Sequence, residues 1–588
     1  MPVKAHRHAK LEQSREFVLS KSTGLGRHTR DFDWAEKNIP CQAACPAGTD
    51  IPGYLEAITD GDFAKAYRLN LESNVFPAVL GRVCTRPCEP ACRHGWEGLG
   101  EPVAICWSKR AADDHMLAGD PQVLEPLFLP SGKSVGVIGG GAAGLTAARE
   151  LALWGHEVTI YEQHQEAGGM MIQGIPEFRL PRDVVRREVD QVRLCGVTLN
   201  CGFQVGRDAT LDELRSKHDA VVIAAGTFRP NRPDIAGVDL PQVRHGVEFL
   251  QEINAGGEPP VGERVVVIGG GFTAVDCVRI ARRLGSQNVT MVYRRRMEDS
   301  YILEEEFGLF PAEGIEVEFL AQPIEIVAGA VRFARTEVVD GKAQVIEGQG
   351  SETFELPADT VLLGTGQAPN LAWLDEIYHG IITAEHATSE DGLYIAGDFG
   401  TGPGSLIDSI GHAKACARKV DEFLMDEDRF IDGVLVEDIP RTTTGRTAAM
   451  DALPREVMPE RAIEARGLRD EVDLGLRKTA SEIEASRCYL CNYKFEIDND
   501  LCIYCDRCLR VMPVDDCIVK VSDLIYDEKD RIAGYQESSS SRDYNLLYLD
   551  GDQCIRCGAC VEVCPVDCIT LQKVTVKTLP AKKATGRR

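Results

Sequence analysis

Twenty-one cysteines and two glycine-rich turns are the features of this 588-residue chain best suited to chemistry. Cys41, Cys45, Cys84, Cys88, Cys92 and Cys106 lie near the N-terminus. Cys488, Cys491, Cys502, Cys505, Cys508, Cys517, Cys554, Cys557, Cys560, Cys564 and Cys568 lie near the C-terminus. Only Cys195, Cys201, Cys277 and Cys416 fall between. In a reducing compartment, cysteines clustered in this way serve metals more often than disulfides. The glycines are Gly139-x-Gly141-x-x-Gly144 and Gly269-x-Gly271-x-x-Ala274. Each follows an apolar strand and opens a helix, the setting in which a backbone turn and a helix N-terminus hold a pyrophosphate.

The two turns differ in what comes next. After the first, the strand HEVTIYE ends at Glu162, whose carboxylate suits ribose hydroxyls. Gly168 and Gly169 follow, and a distant Gly397–Asp398 pair after the strand LYIA can close back on the ligand. A site completed by a remote segment suits FAD, which is longer than NAD. Asp398 is then expected to accept hydrogen bonds from the ribityl chain, or else to cap a helix. After the second turn, which includes Thr273, the strand NVTMVY runs into Arg294, Arg295 and Arg296. Guanidinium groups match a 2′-phosphate, so NADP is expected rather than NAD. A solvated basic patch is the plainer alternative.

The run Cys554-x-x-Cys557-x-x-Cys560-x-x-x-Cys564-Pro565 is the bacterial ferredoxin signature, in which the fourth thiolate ligates the other cluster of a pair. Zinc sites use paired C-x-x-C units instead. An earlier half-repeat has Cys502, Cys505 and Cys508, but Met512 at its fourth position. Cys502, Cys505, Cys508 and Cys564 therefore form one complete expected [4Fe–4S] set. Cys554, Cys557 and Cys560 need a fourth ligand, with Cys517 the nearest candidate; a three-iron cluster or a non-cysteine ligand are the alternatives. Cys568 reads as a packing residue.

These residues must be positioned by several domains, since the chain is too long for one core. Its middle alternates β-branched runs with helical stretches, which argues for βαβ units and parallel sheets. A charged segment at 428–485 reads as a linker with some helix. The net charge of −26 argues against nucleic acid or an anionic membrane as partner. No apolar stretch is long enough to span a bilayer, and the first residues lack the apolar core of a secretory signal, so a cytoplasmic protein is expected.

Together with GIPEFRLP (174–181), YRRR (293–296) and AGDFGTGPGSLIDSIGHA (396–413), the two fingerprints resemble the glutamate synthase small-subunit family and the N-terminal half of dihydropyrimidine dehydrogenase. The resemblance runs from about Cys41 to Leu424. It implies a multidomain α/β protein with an N-terminal α-helical iron–sulfur domain and two Rossmann-like domains, the second inserted in the first. A C-terminal α+β ferredoxin-like domain is appended. The expected divisions are a helical iron–sulfur domain at 1–125, FAD-binding parts at 126–260 and 371–427, an NADPH-binding domain at 261–370, and the ferredoxin-like domain at 486–588. Arg179, within GIPEFRLP, is expected to be at a cofactor.

The same resemblance implies the N-terminal ligands, with one departure. The family's C-x-x-C before the position of Cys41 is missing, while Cys488 and Cys491 in EASRCYLC look like that pair displaced. Cys41, Cys92, Cys488 and Cys491 are expected to bind one cluster. Cys45, Cys84 and Cys88 bind another, and Cys106 completes it unless it is a buried apolar thiol. Lys109 stands where relatives place a Gln or Glu ligand, and an ammonium has no lone pair to offer. Roughly three to four [4Fe–4S] clusters follow.

A hydride carries two electrons and a cluster accepts one, so FAD belongs between NADP(H) and the clusters. No catalytic acid or base is required, and His412 reads as structural. Three functions fit. The first is the NADP(H)-reactive subunit of a larger complex, such as a 2-oxoacid:ferredoxin oxidoreductase, with a protein redox partner docking near the ferredoxin module. The second is a free-standing, bifurcating or non-bifurcating NADPH:ferredoxin oxidoreductase. The third is a non-catalytic redox scaffold.

Overall fold

The computed structural model describes residues 18–19 and 32–581, apart from 96–99, 117–121, 301, 347–351, 375–385, 387, 389, 440–443, 514–516, 527–531, 539–545 and 552. The N-terminal stretch read for a targeting signal lies outside them. The chain divides into two compact units, 1–122 with 425–458 and 475–588, and 123–424 with 459–474.

The second of these units is built on two five-stranded parallel sheets. Val135, Val137, Val265 and Val267 are almost wholly buried, as expected of strands covered on both faces by helices. In one sheet Ser134–Ile138 lies between Glu157–Glu162 and Ala220–Ile223, and Leu393–Ile395 adds the far edge. In the other, Arg264–Ile268 lies between Asn288–Tyr293 and Thr360–Leu363. An antiparallel sheet of Ala321–Val327, Ala330–Val339, Lys342–Val345 and Thr353–Pro357 follows the second sheet's helices. The short pair Arg229–Pro230 and Gln367–Ala368 marks the crossings between the two nucleotide folds.

This corrects the boundary expected at 260/261. Val243–His245 pairs in parallel with Thr360–Leu363, so the region after the first crossing already belongs to the second sheet. A three-residue strand carries too little hydrophobic pattern to reveal its sheet.

In the other unit, helices Ile51–Thr59 and Phe63–Asn74 start at Asp50 and Asp62, whose carboxylates accept the N–H groups of Gly53 and Lys65 at 3.0 Å. The C-terminal strand Ile569–Pro580 is antiparallel to both Phe430–Ile439 and Tyr493–Ile497. Phe430–Ile439 therefore overturns the linker reading of 428–485: ten residues of it pair in unbroken register with the end of the chain. Strand pairing across such a sequence separation leaves no local trace. Helix Lys478–Ser486 completes the segment. Among the described residues no helix is long and apolar enough to cross a membrane.

Candidate functional site

The first glycine turn is locked by its neighbours. Gly139 has φ 107°, and a side chain there would meet the carbonyl of Ala224. At Gly144 an added Cβ would lie 1.9 Å from the Gly139 carbonyl oxygen, so helix and strand meet only through glycine. Glu162 holds the turn from the side. Its Oε2 accepts the Gly140 N–H at 2.7 Å and its Oε1 accepts the His164 N–H at 2.7 Å. Each carboxylate oxygen keeps a second lone pair for a ribose hydroxyl. Gly168 donates its N–H to the Gly140 carbonyl at 2.7 Å, which folds the Gly168–Gly169 bend over the turn.

The remote pair joins this sheet because Leu393–Ile395 is its edge strand. Gly397 precedes the short helix Asp398–Thr401, so Asp398 is its first residue and not its cap. The Asp398 side chain is half-buried, and desolvation pushes its carboxyl up, while the Ser409 hydroxyl donates to it. The Gly397 N–H donates to His412 Nδ1 at 2.9 Å, so the imidazole fixes the bend by accepting at Nδ1.

Around the second turn, the space tests the fit of a phosphate. A Cβ on Gly271 would meet nothing within 4 Å, leaving an open cradle in front of helix Phe272–Arg283. Thr273 and the buried Ala274 form that helix's first turn. Arg294 is exposed, and Arg296 lies 3.7 Å from Asp299. Arg295 presents a buried Nε with no hydrogen-bond partner. An orphaned guanidinium donor beside a dinucleotide turn fits a 2′-phosphate.

Arg179 has a different task from the one expected. Its Nε pairs with Asp276 and its Nη atoms with Glu306, in a buried network that continues through Arg279 and Glu313 to Arg466. With both edges of the guanidinium committed, it is an internal clamp and not a free cofactor ligand. The motif's sequence carries no sign of these acidic partners because they lie about a hundred residues away.

In the other unit, Cys41, Cys92, Cys488 and Cys491 line one small cavity, with Ile51, Leu55, Val103 and Ile105 among its apolar walls. Burial pushes the Cys41 thiol up, helped by the neighbouring Cys491, Cys92 and Cys488. Burial likewise raises Cys92 to about 11. Buried thiols crowded together become thiolates only where metal cations compensate their charge. A second group forms around Cys106, on whose thiol Cys84 and Cys88 act electrostatically. Cys45 stands nearby, its Sγ 3.2 Å from Thr49 Oγ1. Tyr54 is fully buried between the two groups, and its hydroxyl donates to the Ile105 carbonyl at 3.0 Å.

In the ferredoxin-like region, Cys517 is buried beside Cys554 and Cys557, and burial is the main reason its thiol rises to about 12. Cys508 and Cys517 both act on Cys560. Met512 turns inward, its sulfur accepting the Ile518 N–H at 3.2 Å. Cys568 is buried, and its Sγ lies 3.5 Å from Cys564 Sγ. The cue was the C-P-V-D-C order of 564–568, which matches M-P-V-D-D-C at 512–517 with one residue less. Among the described residues no group of three His, Cys, Asp or Glu closes tightly enough for a single metal ion. A polynuclear cluster spreads its thiolates wider than one ion does.

Three protein families match parts of this chain. Residues 133–417 match the pyridine nucleotide-disulphide oxidoreductase family. Residues 35–120 match dihydropyrimidine dehydrogenase domain II, a 4Fe-4S cluster domain, and residues 547–570 match the 4Fe-4S binding domain. The NADP(+)-dependent formate dehydrogenase subunit beta of Moorella thermoacetica is 34% identical over 508 residues, 77% of this chain and 70% of that protein. The NADPH-Fe(3+) oxidoreductase subunit beta of Geobacter sulfurreducens is 30% identical over 82% of this chain and 79% of its own. The glutamate synthase [NADPH] small chain of Azospirillum brasilense is 34% identical over 65% of this chain and 85% of its own.

Proposed function

Because this chain belongs to the glutamate synthase small-chain family of FAD- and NADPH-dependent iron–sulfur oxidoreductases, we propose that it is the NADP(H)-reactive subunit of a larger electron-transfer complex. Bound FAD exchanges two electrons with a nicotinamide and single electrons with iron–sulfur clusters. The protein's own residues supply positions. Glu162, the Gly139–Gly144 turn and Asp398 hold the flavin nucleotide. The Gly269–Ala274 turn, Arg294 and Arg295 hold NADP(H). Cys41, Cys92, Cys488 and Cys491 hold one cluster, and Cys45, Cys84, Cys88 and Cys106 another. Cys502, Cys505, Cys508 and Cys564 hold a third, with Cys568 beside it. Cys554, Cys557, Cys560 and Cys517 hold the fourth.

The observation that carries this reading is the cavity lined by Cys41, Cys92, Cys488 and Cys491. It draws ligands from both ends of the chain, so the N-terminal and ferredoxin-like cysteines share one compact unit. The ferredoxin module is then the outlet to a protein partner. Two relatives are named as β subunits, of a formate dehydrogenase and of an NADPH-Fe(3+) oxidoreductase. They favour a dehydrogenase-type catalytic subunit over the 2-oxoacid oxidoreductase considered first.

The test has two arms. The purified protein should reduce a viologen dye with NADPH; no dye reduction by flavin- and iron-loaded protein would leave only the scaffold role. Pull-down from the native cell should recover a stoichiometric catalytic subunit; recovery of the chain alone, still active with ferredoxin, would favour the free-standing enzyme.

A further inference from the structure

Arg93 follows Cys92 in the chain and is only 2% exposed. It lines the cavity of Cys41, Cys92, Cys488 and Cys491. The same guanidinium also reaches the ferredoxin-like cysteines. Its Nη1 donates to the Cys554 carbonyl at 3.2 Å, and its Nη2 donates to the Lys37 carbonyl at 2.8 Å. Cys554 takes a second guanidinium from within its own loop. Arg556, fully buried with φ 60°, donates to the Cys554 carbonyl through Nη1. It also donates to the Tyr493 carbonyl at 3.2 Å and to Asn38 Oδ1 at 2.6 Å. Helix Phe32–Asn38 thus accepts one hydrogen bond from each arginine. A planar fork of donors holds such a junction where a single point charge would not. The two halves of the ferredoxin-like region differ in access. Cys554 and Cys517 are buried, whereas Cys505 is exposed, as are Leu501, Ile503 and Arg507 around it.

We propose that Arg93 is a positioning residue for electron transfer, fixing the Cys41 group against the Cys554 group. Electrons then enter the ferredoxin-like region at Cys554, Cys557, Cys560 and Cys517. They leave it at Cys502, Cys505, Cys508 and Cys564, on the exposed side. The inference rests on the ligand sets proposed for these groups. From Cys92 to Cys554 the connection is one peptide link, one side chain and one hydrogen bond. Electronic coupling decays less steeply along bonds than across a gap, so this path favours the Cys554 group as the acceptor. One electron leaves the Cys41 group, which is oxidised, and reaches the Cys554 group, which is reduced. No bond forms or breaks and no proton moves. NADPH supplies electrons in pairs through the flavin, so the path is used twice per hydride.

The experiment is rapid freeze-quench EPR of the full-length flavin- and iron-loaded protein after mixing with NADPH. Iron and sulfide are counted on the same samples, and signals are assigned by their loss in C488S and C557S. In R93M the Cys41 group should be reduced at the wild-type rate. Reduction of the Cys554 group should slow about tenfold, equivalent to about 1.4 kcal/mol on its barrier. In protein reduced with dithionite, without nucleotide, the spin–spin interaction between these two signals should also weaken in R93M. A wild-type value of either readout in iron-replete R93M overturns the proposal. N38A releases Arg556 and not Arg93, so it should leave both readouts unchanged; a loss equal to that in R93M overturns the role given to Arg93. If R93M sheds iron, R93K decides. It keeps a donor for the Cys554 carbonyl and should hold its iron and both readouts. R93K that sheds iron too, or slows about tenfold, overturns the proposal in favour of a purely structural clamp. The order is tested by C557S, in which the Cys502 group should stay oxidised; its reduction at the wild-type rate overturns that order. C557S retaining every cluster would instead remove the ligand-set reading, whatever Arg93 does.

Discussion

Arg294 and Arg295 follow a strand at the place where the first fold has Glu162, and we propose that this difference in charge separates the two nucleotide sites. A charge-assisted hydrogen bond contributes about 1.5–3 kcal/mol, and tenfold in affinity is about 1.4 kcal/mol. R294A and R295A should each raise KM for NADPH about ten- to a hundredfold and leave KM for NADH nearly unchanged. Steady-state dye reduction with both nucleotides checks this. Equal effects on the two would show that the arginines do not read the 2′-phosphate. At this scale the sequence is legible as strand, glycine turn and helix, because these lie within one βαβ unit. Arg179 was not legible, because a side chain's partners depend on what folds against it.

Among the elements, the excursion 459–474 is tied down by charge. Arg466 pairs with Glu313 at 2.6 Å and with Glu460 at 2.7 Å, and the Val472 N–H donates to the Phe178 carbonyl at 3.0 Å. Glu313 also takes Arg279, whose neighbour Glu306 is shared with Arg179. Breaking a buried pair leaves the partner charge desolvated. R466A should destabilise this unit by about 2 kcal/mol. It should also make 459–474 the first site of limited proteolysis. Urea unfolding followed by flavin release measures the first effect and peptide mapping the second. Wild-type cleavage kinetics in R466A would mean that the ion pairs contribute nothing. Composition alone suggested a linker here, since charge-rich sequence is also what an ion-paired strap looks like before its partners are known.

On the scale of the whole molecule, the two units have different cofactor chemistry and separate cores. C488S and C491S should each lose one cluster's worth of iron from the N-terminal pair. NADPH should still reduce the flavin in both variants, as seen by bleaching of its absorbance, because residues 123–424 keep their own sheets and nucleotide turns. Iron analysis beside anaerobic flavin reduction tests both halves of the statement. Full iron retention in both variants would refute the shared cluster, and loss of flavin reduction would refute the independence of the units.

The sequence by itself determined the cofactors. FAD, NADP(H) and [4Fe–4S] clusters are bound by short contiguous motifs, whose spacing is set by one turn, one helix start or one loop and needs no knowledge of the rest of the fold. The tertiary structure decided how those motifs combine. It gathered Cys41 and Cys92 with Cys488 and Cys491 around one cavity, and set Cys517 beside Cys554. Cys568 was placed against Cys564, and Phe430–Ile439 in register with the C-terminal strand. Each of these depends on side chains or strands that meet only after the chain has closed, and such meetings are chosen by packing of the whole core and not by any local run of residues.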